Sequence, residues 1–425
     1  MRTGRRVVGA LVACAGIASV AACGSSSEGG ATQHDAGSDG SASGGTSSGG
    51  SGGTSSGGTS SGGTSSGGTS SGGVAGVSGS GGSVLDASTD AAGGAAGSAG
   101  SGADAGPLGV GGCSADPPVG APQAPDPPAY SGGTCPTLPT TADAAGANNP
   151  ITIKTSGNNR TFLLALPHNI LPTEKLPIIF LWHWLGGSAK SFYDKGEVQA
   201  AVDAQRFIAV IPEADPSSLN VFKWPYSLIA LPQQVQAELT FFDDMLSCVS
   251  QQFNVNKNCV SSAGVSAGAL WTDQLVGQRS QYLSSFLSLS GGVGTPQNQT
   301  IKPWTKPVHP IPGMVLWGGP QDICVLQQFQ VLSLTLEQNL TQDGSFFLEC
   351  IHNCAHAEPP FEPPAGYSKY AGLWQFALDH PYWLPKGYSP YTSQGLPVSV
   401  PPWCGIGAGS ATPRTGACPP PSCPI

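Results

Sequence analysis

The chain has 425 residues, among them 61 glycines, 38 prolines and 12 cysteines, and a formal net charge of −9. Three of its arginines (Arg2, Arg5, Arg6) and six of its acids (Glu28, Asp35, Asp39, Asp86, Asp90, Asp104) fall before residue 113. The remainder is therefore only mildly acidic and offers no basic footprint, which excludes nucleic acid as an expected partner.

Residues 1–23 read as a lipoprotein signal. The three arginines form a positive start, residues 7–20 an apolar run too short to span a membrane, and Val20-Ala21-Ala22-Cys23 resembles a lipobox. Cleavage there leaves Cys23 as a lipidated N-terminus, so a membrane is an expected partner through that anchor. The chain would then be anchored to the bacterial cell envelope or cell surface; an ordinary secretory signal is the alternative. Residues 24–112 are dominated by Gly, Ser, Thr and Ala with a repeated SSGGT unit. They have too little apolar surface to offset chain entropy and are expected to form a disordered spacer with a root-mean-square span of about 50 Å.

Residues 113–147, rich in Pro and Ala, read as an irregular lead-in, and 148–385 as one α/β domain. ITIKT (151–155) and RTFLLAL (160–166) flank a Gly157-Asn158-Asn159 turn and predict a hairpin. LPIIFLWH (176–183) and RFIAVIP (206–212) are continuous apolar runs, as strands buried on both faces require, with a helical stretch over about 190–205 between them. Val235, Leu239, Phe242, Leu246 and Val249 recur at helical spacing within 233–253. The strand NCVSSAG (from 258) leads into a helix ending near 280, and YLSSFLSLSG (282–291), GMVLWGG (313–319) and SFFLECIH (345–352) predict further strands. Helices are expected at about 325–341 and 367–379. This alternation implies a mostly parallel sheet covered on both faces. Residues 386–425, rich in Pro and Gly with three cysteines, read as an irregular extension. Ten cysteines follow Cys23, an even number that argues for disulfides in an exported chain, and the pair placed from sequence is Cys248 with Cys259.

The chemistry concentrates at Gly264-Val265-Ser266-Ala267-Gly268. G-x-S-x-G lets a serine occupy a strained strand-to-helix turn, because glycines on either side remove side chains that would collide. The same pattern recurs in the spacer, for example at Gly45-Thr46-Ser47-Ser48-Gly49, where no strand precedes it. A serine nucleophile needs a base, and the base an orienting carboxylate, on loops after the C-terminal ends of strands. Asp322 follows GMVLWGG, and His356 lies in the loop after SFFLECIH. The order Ser, Asp, His is that of an α/β-hydrolase. Asp322 can alternatively be a helix N-cap, His352 competes with His356, and Cys350, His352, Cys354 and His356 together can suggest a metal site. Oxyanion donors are expected at the backbone amide of Ala267 and in the loop His183-Trp184-Leu185-Gly186-Gly187, at Leu185 or else Trp184. Trp184, Trp224 and Trp271 are candidates to line a substrate cleft, tryptophans at such positions being at least as often core.

Over about 150–385 the sequence resembles the α/β-hydrolase esterase family containing polyhydroxybutyrate depolymerases, feruloyl esterases and acetylxylan esterases. The matching features are a strand ending in a His-Gly type loop, the elbow, Gly319-Pro320-Gln321-Asp322 as the setting of the acid, and a C-x-H-x-x-G-H-x-x-P segment aligned on Cys350, His352, His356 and Pro359. The resemblance implies His356 as the base. Trp184 stands where the family has a glycine after the histidine, and Ala355 replaces the glycine before the base. The expectation is an exported, monomeric serine esterase acting on a small or polymeric carboxylic ester through an acyl-enzyme, with no metal or organic cofactor. Rival readings are a tethered polymer- or glycan-binding module without turnover, and acyl transfer or peptide cleavage by the same residues.

Overall fold

The computed structural model describes residues 112–216, 222–297, 300–420 and 423. The signal, most of the spacer and Cys23 lie outside the described residues. The nine-stranded sheet runs β1 (Ile151–Thr155), β2 (Asn158–Ala165), β4 (Ile208–Pro212), β3 (Leu176–Trp182), β5 (Val255–Val265), β6 (Ser285–Leu289), β7 (Gly313–Trp317), β10 (Phe347–Ile351) and β11 (Cys404–Ile406). A separate two-residue hairpin, β8 (Ile323–Cys324) with β9 (Gln327–Gln328), follows β7. The six strands from β4 to β10 are parallel; β1, β2 and β11 are antiparallel to their neighbours. A parallel sheet with a strained serine turn after β5 is the α/β-hydrolase fold.

Burial on both faces explains why β3 reads as an unbroken apolar run. Ile178, Phe180 and Trp182 pack on one side and Ile179 and Leu181 on the other. The first face is covered by α3 (Pro232–Gln252), α4 (Ala267–Arg279) and α5 (Phe329–Asp343). The second is covered by α1 (Ala189–Lys195), α2 (Val198–Gln205) and α6 (Ala371–Leu378). Each fully buried aliphatic or aromatic side chain in these layers contributes roughly 1.5–3 kcal/mol relative to exposure. Among the described residues the remaining helix is the four-residue α7 (Tyr391–Gln394).

Several sequence expectations shift. The single helix over 190–205 is two, because Gly196 ends α1 and Glu197 (φ +47°) turns the chain into α2. The helix expected from 325 starts at Phe329, since β8 and β9 occupy the residues before it. The extension 386–425 contributes β11, paired to β10 through Leu348, Glu349 and Cys350, so the sheet reaches past the boundary drawn at 385.

The Cys248–Cys259 pair is not formed. Cys259 bonds to Cys113 and Cys248 to Cys135. Strand alternation is the reason: Val260 faces the α3 side with Cys248, which turns Cys259 to the opposite face. Three further bridges, Cys350–Cys404, Cys354–Cys418 and Cys324–Cys423, all reach into the C-terminal extension.

Candidate active site

The turn between β5 and α4 is set by backbone contact. A Cβ on Gly264 would lie 2.1 Å from the Gly268 carbonyl oxygen, and one on Gly268 would lie 2.0 Å from that of Trp182. Only glycine lets α4 start this close to β5 and to the end of β3. Between them Ser266 takes φ +55°, ψ −117°, a conformation costly for any side chain, and its N–H donates to the Leu289 carbonyl (2.9 Å). The peptide twist lifts the hydroxyl off the strand end, although the residue is only 6% exposed.

Asp322 and His356 reach that hydroxyl from loops after β7 and β10. His356 Nε2 is 2.9 Å from Ser266 Oγ, and His356 Nδ1 is 2.6 Å from Asp322 Oδ1. Two groups that carry no sequence motif hold the carboxylate from its other side. Ser290 Oγ–H donates to Asp322 Oδ2 (2.9 Å), and so does the Gly318 N–H (2.7 Å). Ser290 follows β6 in a left-handed conformation (φ +51°), a geometric signal that sequence does not display. The Phe329 ring stacks on His356 at 4.4 Å. A hydroxyl, imidazole and carboxylate in series can pass the hydroxyl proton to the ring while the carboxylate fixes the ring's tautomer.

His352 is separate from this chain of contacts. Its Nδ1 accepts from the Cys354 N–H (3.2 Å), and burial pushes its basicity down to about 4, so it is neutral near pH 7. Cys350 and Cys354, which with the two histidines made a possible metal set, are instead bonded to Cys404 and Cys418.

A cavity of about 430 Å³ opens over Ser266 and His356. Its walls include Trp184, Leu185, Phe192, Phe361, Tyr370 and Trp374. Glu358 sits on the wall. Burial opposes its ionisation, but hydrogen bonds from Lys369 and Tyr370 hold its carboxyl below the usual range. Of the three tryptophans expected to line a cleft, only Trp184 does so. Trp224 and Trp271 are core residues packed edge-on against Trp182 at 5.1 and 6.0 Å, because their positions face the closed layer between sheet and helices. Trp224 still touches the site indirectly: its indole N–H donates to the His183 carbonyl (2.8 Å) at the base of the Trp184–Leu185 loop. His183 is buried and links the Trp184 carbonyl (Nδ1, 2.9 Å) to the Ala214 amide (Nε2, 3.3 Å), which gives that loop a fixed shape. Ala267 is the first residue of α4, where an amide has no acceptor within its own helix.

No protein-family model matches the sequence. Feruloyl esterase D of Neurospora crassa is 28% identical over 142 residues, 33% of this chain and 48% of that protein. The chain thus spans about half the length of the curated relative it matches. Among solved structures, sOPH in its native form aligns over 67% of this chain and 99% of its own, at 15% identity and a TM-score of 0.49. A ferulic acid esterase aligns over 49% of this chain and 90% of its own, at 15% identity and a TM-score of 0.40.

Proposed function

We propose that the protein is a serine esterase that hydrolyses carboxylic esters by way of an acyl-enzyme. The observation that carries this reading is the unbroken series from Ser266 Oγ through His356 to Asp322, at 2.9 and 2.6 Å, opening into an apolar cavity. His356 takes the hydroxyl proton as Ser266 attacks the ester carbonyl, then returns it to the leaving alcohol. A water activated by the same ring releases the acid. Asp322, held by Ser290 and Gly318, keeps the ring oriented and stabilises its charged form. The developing oxyanion is received by the amides of Ala267 and Leu185, each donor being worth about 2.7–4 kcal/mol in such sites. The match to a feruloyl esterase supports a carboxylic ester as substrate, with Trp184 and the other cavity aromatics holding its acyl or alcohol part.

Five disulfides fit an oxidising compartment, and we read the enzyme as exported and held outside the cytoplasm by a lipid on Cys23 and the spacer behind it. The test is release of p-nitrophenol from p-nitrophenyl acetate and butyrate by the purified protein and by Ser266→Ala. Activity in the wild type and its loss in the variant support the mechanism; equal rates in the two overturn it.

A further inference from the structure

The loops that carry Asp322 and His356 share a feature that a hydrolase site does not require. Each contains side-chain-bearing residues in the left-handed region beside a cystine. After Asp322, the tip joining β8 to β9 is Val325 (φ +46°) and Leu326 (φ +65°), directly following Cys324. A two-residue tip of this kind favours Asn-Gly; a β-branched valine there is an outlier, and Leu326 is also 94% exposed. Before His356, Asn353 (φ +54°) and Ala355 (φ +56°) flank Cys354. Asn353 tolerates this region, but Val325, Leu326 and Ala355 each cost about 1–2 kcal/mol there, so these loops hold their shape only if something else fixes it.

The C-terminal segment meets both loops. Cys354 bonds to Cys418 and Cys324 to Cys423, while Cys350, at the root of the His356 loop, bonds to Cys404. Between these anchors the Arg414 N–H donates to the Ile351 carbonyl (2.9 Å), and the Arg414 guanidinium donates to the Ala417 carbonyl (3.1 Å) and lies 3.7 Å from Glu362. The Ala411 N–H donates to Glu349 on β10 (3.0 Å). Cys423 itself forms part of the cavity wall. We propose that residues 404–418 and 423 are a positioning element: through Cys354–Cys418 and Cys324–Cys423 they hold two strained loops so that His356 and Asp322 stay in line with Ser266. The inference rests on the serine-esterase reading above.

The test compares three pairs of cysteine-to-alanine changes in the full protein: Cys354/Cys418, Cys324/Cys423 and the control Cys113/Cys259. The control closes the longest loop, with a sequence separation of 146 against 64 and 99, so if only stability matters it should do the most harm. At a temperature where all three are folded, either tail pair should lower kcat by about 10- to 100-fold, with KM changed by less than about threefold, as expected for misplaced catalytic groups. The control should keep kcat within about twofold of wild type. Adding Ala355→Gly to the Cys354/Cys418 variant should recover about fivefold in kcat, because glycine removes one left-handed penalty. Unchanged kcat in both tail variants, or equal losses in tail and control variants, overturns the proposal. Should the tail variants not fold, graded reduction of the wild type decides it. Activity should fall in step with alkylation of Cys418 and Cys423, before near-UV dichroism is lost; loss only together with that signal counts against the proposal. Ser266→Ala separates the two levels. If it keeps full activity, the esterase mechanism fails; if it is dead while the tail variants turn over normally, only the tail inference fails.

Discussion

The two halves of the candidate site are fixed by different physics. Ser266 sits where β5, α4 and the end of β3 touch through backbone, with glycines at 264 and 268 because nothing larger fits. Asp322 and His356 sit on loops whose backbones include strained residues and whose ends are tied by cystines to a distant segment. The serine is placed by the core; its partners are placed by hydrogen bonds and covalent ties. The difference teaches which changes should abolish the fold, which should abolish only turnover, and which should merely detune it.

The largest effect should come from the serine side. Ser266→Ala should reduce kcat by about 10⁴- to 10⁶-fold while leaving the melting temperature within a few degrees, since the hydroxyl contributes chemistry rather than packing. A steady-state assay alongside a thermal melt checks both halves of that statement.

Gly268→Ala should break the other property of the same turn. Its new Cβ would stand 2.0 Å from the Trp182 carbonyl oxygen and 2.8 Å from that of His183, and backbone atoms cannot swing aside. We expect a destabilisation of about 3 kcal/mol or more, read as a lower denaturant midpoint or loss of soluble protein. A variant as stable as wild type would show that the close approach of α4 to β3 is not what fixes the elbow.

The elbow was also the part most legible in sequence, and for the same reason. A local steric demand leaves a local trace: G-x-S-x-G after a buried strand can be read without knowing what lies across the sheet. β3 and β4 were legible because burial on two faces needs an apolar run. The tail was not, because β11 is three residues long and its pairing with β10 depends on contacts more than 50 residues apart in sequence. Cys248 and Cys259 looked adjacent in chain order but face opposite sides of the sheet. Trp224 and Trp271 carried no mark to separate core from cleft. Ser290 gave no motif at all; its value lies in a left-handed turn that brings its hydroxyl to Asp322.

Ser290 therefore offers the finer test of the loop side. Ser290→Ala removes one of two donors to Asp322 Oδ2 and leaves the Gly318 amide in place. A hydrogen bond to a carboxylate contributes about 1.5–3 kcal/mol, so kcat should fall by roughly 10- to 100-fold with little change in KM. A KM effect with kcat preserved would mean that Ser290, which also borders the cavity, contacts substrate rather than orienting the acid.

The smallest effect concerns the support behind the elbow. Asp273, on α4, is fully buried; its Oδ2 accepts from the Gly292 N–H (2.7 Å) and Ser288 Oγ–H (2.9 Å). Burial dominates these hydrogen bonds and pushes its carboxyl up to about 8, from an ordinary 3.8. The folded protein thus keeps a proton here that the unfolded chain gives up near pH 4. Below that pH both states are protonated and the residue adds no pH dependence. Between about pH 4 and 8 only the unfolded chain gains by ionising, so stability must fall as pH rises through this window and level off above it. Asp273→Asn keeps an acceptor for Gly292 and Ser288 but cannot ionise. Its melting temperature should decline less than that of the wild type between pH 4.5 and 8.5, with the two closest at the acid end. Some decline should persist, because burial also pushes Glu337, on the buried side of α5 and beside Glu349, up to about 8. If the variant and wild-type curves run parallel across the whole range, Asp273 is not the group that gives the elbow's support its pH dependence.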